Sequence, residues 1–172
     1  MARNANAGAA VEWVESGGGP LIVVPEAVLP FWSGADGDEL STDYDRACEV
    51  DGRIGFVPVG DMTALVLGDE PASTAFLPEH DTFVRWCAAD SEDELLASVP
   101  AALAAAEWEA DRAWDIPGDV LLFDSAWPGK ETDRTDHLRV ELAPGRYAVR
   151  AAYVEPGPET WVGLVQLRRL TG

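Results

Sequence analysis

The sequence predicts an α+β protein with far more strand than helix: a mainly antiparallel sheet, one principal helix over about residues 91–106, and a C-terminal β-meander. Three observations carry this. Leu138, Val140 and Leu142 alternate with Arg139 and Glu141, the period of a strand with one wet face. Tight-turn residues, Gly60-Asp61 and Ala143-Pro144-Gly145, separate apolar runs as hairpin turns do. Ser91-Glu92-Asp93-Glu94 forms a capping box, and Leu95, Leu96, Val99 and Leu103 follow it at helical spacing.

Residues 1–9 are small and polar and read as a flexible N-terminus, with one compact domain over 10–172. Val11 to Ser16 alternates apolar with acidic residues and reads as a strand. Gly17-Gly18-Gly19-Pro20 then turns the chain into the apolar run Leu21-Ile22-Val23-Val24, so the pair is expected as a hairpin. Pro25 to Trp32 fits one or two helical turns, bent or ended by Pro30. Ser33 to Thr42 is a polar loop, and Asp43 to Val50 is either a short helix or a strand. Ile54–Val59 and Ala64–Leu67 form a second hairpin; Thr74–Leu77 and Thr82–Ala88 are further strands. Pro100 is expected to kink or restart the principal helix, because it lacks the amide an interior turn needs. Beyond it, the period-2 run from Trp108 to Ile116, then Val120–Phe123, Leu138–Leu142, Tyr147–Tyr153 and Trp161–Leu170, read as strands. A composition shift near residue 107 marks the candidate subdomain boundary.

The formal net charge is −19. That excludes a direct nucleic-acid binder, which needs a cationic face, and docking on anionic membranes. It favours a basic partner and fast, salt-sensitive association. The charge is also uneven. Residues 1–111 hold 22 Asp/Glu against four Arg, whereas 112–172 hold nine against eight Lys/Arg. Solubility alone does not require that asymmetry. Seven tryptophans are spread along the chain. Most suit packing, and the remainder suit exposed anchors at a binding surface.

Catalytic chemistry finds little support. His80 lies in the loop Pro78-Glu79-His80-Asp81 and His137 follows Asp136 just before a strand; a metal site or general base at either needs partners from elsewhere in the fold. Cys48 has acidic neighbours, which disfavour a thiolate nucleophile. It could pair with Cys87 only if the fold brought the two together, and no CxxC or zinc-ligand spacing exists. The carboxylates of 36–45 lack calcium-loop spacing, and the glycine run at 17–19 is followed by no GK[ST]. No enzyme activity, metal or cofactor is expected. No run of about 18 apolar residues and no signal-peptide core occur, so the expected compartment is the cytoplasm.

The ordered motifs Trp13-Val14-Glu15-Ser16-Gly17-Gly18-Gly19-Pro20-Leu21, Phe31-Trp32-Ser33-Gly34, Asp43-Tyr44-Asp45-Arg46-Ala47-Cys48, Leu65-Val66-Leu67-Gly68-Asp69-Glu70-Pro71 and Val84-Arg85-Trp86 resemble immunity protein family 21 of bacterial polymorphic toxin systems. The resemblance implies an antitoxin-like protein that binds and neutralises a cognate toxin; many such toxins are nucleases, which are often basic. It carries no catalytic residues. The candidate toxin-binding residues follow from charge instead: Asp36, Asp38, Glu39, Asp43, Asp45, Glu49, Asp51, Asp69 and Glu70, with Trp32 and Tyr44 as apolar anchors. The alternatives are a small carboxylate-dependent hydrolase, which needs a pocket with converging acids, and an interaction domain unrelated to toxins.

Overall fold

A computed structural model describes residues 4–5, 10–37, 40–68 and 70–171. Eleven strands build two sheets among these residues. In chain order they are β1 (Asn4–Ala5), β2 (Leu21–Pro25), β3 (Ile54–Val59), β4 (Met62–Leu67), β5 (Thr74–Leu77), β6 (Thr82–Ala88), β7 (Arg112–Ile116), β8 (Val120–Asp124), β9 (His137–Val140), β10 (Gly145–Gly157) and β11 (Thr160–Arg169). Two α-helices, α1 (Asp43–Cys48) and α2 (Glu92–Ala105), and three 3-10 segments complete the fold. The chain is α+β, as the sequence predicts.

The first sheet runs β1-β9-β8-β2-β4-β3 and the second β5-β6-β11-β10-β7. All pairings are antiparallel except that of the two-residue β1, which lies parallel to β9. The sheets face each other across one core. Leu21, Val23, Leu65, Leu122 and Leu138 from the first meet Phe83, Trp114, Val149, Val165 and Leu167 from the second. Each such aliphatic side chain contributes roughly 1.5–3 kcal/mol by leaving water.

Both outer faces are covered as well. Successive side chains of a strand point to opposite faces. Ile22 and Val24 therefore leave the central core and meet Val28, Trp32 and Ala47, from the segment that crosses the first sheet. On the second sheet, Val84, Val162 and Leu164 meet Leu95, Val99 and Ala102 of α2. This explains why Leu21-Ile22-Val23-Val24 is apolar without alternation: it is buried on both faces.

The expected hairpin between 11–16 and 21–24 does not form. β2 pairs with β4 and β8 instead, and Val14 makes an isolated bridge to Thr74. A strand apolar on both faces belongs in the middle of a sheet, with two neighbours, and a wet-faced segment such as 11–16 cannot take either place. The β3/β4 hairpin forms as read, with Val59 opposite Met62. Ser91 caps α2 by accepting the Glu94 amide at 3.1 Å, and the helix runs on through Pro100 to Ala105.

The C-terminal strands form two consecutive antiparallel pairs, β8/β9 and β10/β11, one in each sheet. Residue 107 divides neither sheet, because β8 adjoins β2 in the first and β11 adjoins β6 in the second. Apart from Asn4 and Ala5, residues 1–9 lie outside the described residues.

Candidate protein-binding surface

The acidic stretch is a helix with a built start. The Thr42 hydroxyl accepts the Asp45 amide at 3.1 Å, and the Asp45 carboxylate accepts the Thr42 amide at 3.0 Å. This reciprocal cap satisfies two of the amides that a helix start leaves open. Asp43 accepts the Ser33 amide at 2.8 Å and forms an ion pair with Arg46. The Tyr44 amide donates to the Gly34 carbonyl at 3.0 Å, and Ala47 is buried against the first sheet. Thus Asp43 and Asp45 hold α1 in place, in addition to carrying charge.

Tyr44 and Cys48, one turn apart, line a groove of about 210 Å³. Its other walls are the Gly18-Gly19-Pro20 turn and the Gly68, Glu70 and Pro71 end of the β4–β5 connection. Gly19 lets the Tyr44 ring lie against the turn: a β-carbon there would push the Tyr44 hydroxyl aside. The Tyr44 phenol is held above its ordinary pKa, first by its hydrogen bond with Cys48, then by burial and by the thiol and carboxylates nearby, including Asp124 and Asp45. Segments from three separate motifs of the sequence, 17–20, 43–48 and 67–71, therefore meet in one place.

The loop after β8 locks this arrangement. Asp124, 8% exposed, accepts the Gly17 amide at 2.8 Å with one oxygen and the Ala126 amide at 2.9 Å with the other. Ser125 donates to the Pro20 carbonyl through both its amide and its hydroxyl. The Ala35 amide donates to the Ala126 carbonyl at 3.0 Å. Charge-based reading of the sequence missed Asp124 and Ser125. The available signal was a carboxylate and a hydroxyl directly after the apolar run Val120-Leu121-Leu122-Phe123.

Of the expected contact residues, Asp36, Asp45, Glu49, Asp51 and Glu70 are exposed, and Asp43 and Tyr44 are half-buried. Asp38, Glu39 and Asp69 lie outside the described residues. Trp32, read from the sequence as a surface anchor, is 1% exposed. Its indole N–H donates to the Ser125 carbonyl at 3.0 Å and its ring packs on the first sheet, so it supports the surface from beneath. Its neighbour Phe31 is 63% exposed, and Trp127 is 45% exposed. Cys48 and Cys87 are not joined by a disulfide: one lies on the layer over the first sheet and the other on β6 of the second.

Other concave sites have a different character. A cavity of about 350 Å³ contains Glu26, Asp119 and Arg139. The Arg139 guanidinium, chiefly through its hydrogen bond, holds the Asp119 carboxyl below its ordinary pKa, which describes an ion pair. A cavity of about 490 Å³ lies between Asp61–Thr63 and Ala113–Pro117. Among the described residues, no group of three or more His, Cys, Asp or Glu is placed to hold a metal ion, and no helix is long and apolar enough to cross a membrane.

No curated protein and no solved structure matches the chain. The family model described as immunity protein 21 matches residues 12–160, which includes α1, all three groove segments and all but the last part of the second sheet. The chain belongs to the immunity protein 21 family.

Proposed function

We propose that this protein binds and neutralises a cognate bacterial toxin domain in the cytoplasm, one to one and without catalysis, presenting an acidic face to a basic toxin. The observation that carries this reading is the charge asymmetry of an immunity-family chain: 22 carboxylates against four Arg over residues 1–111. The convergence of three acid-bearing or acid-flanked segments at the α1 groove supports it. Opposite charge steers encounter, raising association toward ~10⁸–10⁹ M⁻¹s⁻¹ at low salt, and a bound immunity protein occludes the toxin's site or its substrate path. A basic nuclease is the toxin class this charge suits, because a nuclease carries the cationic face that meets phosphates.

The test is co-expression with the toxin domain encoded beside this gene. Restored growth and a complex on size exclusion are expected; continued killing with no complex sinks the proposal. The electrostatic part is tested by reversing Asp36, Glu49, Asp51 and Glu70 to Lys, exposed positions whose side chains do not hold α1 in place. The association rate should fall by about tenfold or more, and its salt dependence should flatten.

A further inference from the structure

Phe31 and Trp127, 63% and 45% exposed, are large aromatic side chains turned to solvent on a strongly acidic protein. Single exposed apolar residues are ordinary. These two differ because they sit on touching segments and are held from behind. Phe31 rests on the β3–β4 turn, where a β-carbon at Gly60 would lie 3.1 Å from its ring. Trp127 follows the Asp124–Ala126 bonds, and its own amide donates to the Asp124 carbonyl at 3.0 Å. Gly34, three residues after Phe31, packs against the backbone of Trp127, where a β-carbon would come within 2.6 Å of the Trp127 carbonyl carbon. The backbone that carries Trp127 is thus fixed before any partner arrives, which lowers the ordering cost of binding.

The charge around them is negative on balance. Asp61 adjoins Gly60 beneath Phe31, and Asp36 follows Gly34 by two residues; both are exposed. Asp43 bonds to Ser33, between Phe31 and Gly34 in the chain. The 3-10 segment after Trp127, Gly129–Arg134, balances Lys130 and Arg134 against Glu131 and Asp133, so it does not reverse that sign.

Resting on the immunity reading above, we infer that Phe31 and Trp127 are the apolar anchors of toxin docking, entering a depression on the toxin rimmed by Lys and Arg. The partner chemistry follows from complementarity: the anchors need an apolar pocket, and the exposed Asp36 and Asp61 need cations around it. The acids set the rate of encounter, and the aromatics set how long the complex lasts.

The probe is the catalytically disabled toxin domain encoded beside the gene. Phe31→Ala and Trp127→Ala should each weaken binding about tenfold or more, mainly through faster dissociation. Trp161→Ala and Leu170→Ala, at exposed apolar positions on or beside β11 of the second sheet, should change it by less than about threefold. Amide exchange on the wild-type complex gives a readout that needs no variant: protection is expected over 31–36 and 125–130. Wild-type binding with unchanged affinity in both anchor variants, or protection confined to α2 and the second sheet, overturns the inference and leaves the immunity reading standing. A wild-type protein that neither binds nor protects overturns both.

Discussion

Asp124 and Gly17 are 107 residues apart in sequence, yet the Asp124 carboxylate accepts the Gly17 amide at 2.8 Å. The bond ties the end of β8 to the glycine turn that walls the α1 groove. The second carboxylate oxygen holds Ala126 and so positions Trp127. One buried acid thus serves both the groove and the anchor beside it.

Asp124→Ala leaves the Gly17 and Ala126 amides without their charged acceptor. A lost hydrogen bond to a charged group costs about 1.5–3 kcal/mol. The urea midpoint should fall accordingly, and exchange at the Gly17 and Ala126 amides should speed up more than exchange in β10 or β11. An unchanged midpoint would show that the bond is replaceable by water.

Gly34 has φ of +59°, and a β-carbon there would lie 2.5 Å from the Ala126 carbonyl oxygen. Gly34→Ala therefore meets both a left-handed backbone penalty, about 1–2 kcal/mol, and a contact only backbone movement relieves. The thermal midpoint should fall by several degrees. Toxin binding should weaken beyond what the stability loss explains, because the Trp127 loop must shift.

Thr42→Ala removes one half of the α1 cap, at a cost of about 1 kcal/mol. Amide exchange at Asp45 should rise. The backbone amide of residue 42 still reaches the Asp45 carboxylate, and the substitution removes no charge, so the association rate with toxin should not fall.

Asp119 has a folded-state pKa below its ordinary value, held there first by Arg139 and also by the Leu142 amide, against the opposing effect of burial. Its contribution to stability is complete above the ordinary carboxyl range, near 4, and is lost as pH falls through the folded value. Asp119→Asn should therefore lose less stability than the wild type between pH 6 and pH 3. Denaturant titrations at the two pH values make the comparison.

Tyr153 behaves in the opposite direction. Burial, then its 3.0 Å hydrogen bond to Glu155, pushes the phenol up to about 12. Its contribution is complete below the ordinary value, near 10, and is lost as pH rises toward the folded value. Tyr153→Phe should remove that part of the alkaline loss, and phenolate absorbance should show one tyrosine fewer titrating late.

Much of the fold is legible where side-chain period and turn chemistry agree. The β3/β4 hairpin, α2 and the strands from 120 onward follow from alternation and capping, but the turn at Ala143-Pro144-Gly145, read as a hairpin, carries the chain from one sheet to the other, so β9 and β10 do not pair. Pairing is less legible, because Leu21–Val24 is apolar on both faces and its period names no neighbour. The aromatics show the same limit at the surface. Phe31 and Trp32 are adjacent and chemically alike, but a short 3-10 segment that runs through Pro30 and ends at Phe31 sends one outward and one under it. Nothing in the local pattern distinguishes them; the Ser125 carbonyl that receives the Trp32 indole lies 93 residues away. Carboxylate charge marked the 43–51 stretch without deciding between helix and strand, and could not separate acids that brace the helix, Asp43 and Asp45, from Glu49 and Asp51, which stand exposed at its end.

The interleaving of strands also sets a timetable. On a ribosome, β2, β3 and β4 emerge early, but their sheet gains β8 only after residue 124 is made. The other sheet waits longer, since β11, ending at Arg169, belongs between β6 and β10. A nascent chain interrupted before that strand holds every partner of the Asp124–Trp127 loop but leaves the core open where β11 belongs. On the proposed immunity role, a cell carrying the toxin is guarded only by chains made through that last strand, and its margin of safety depends on finishing this protein ahead of the toxin.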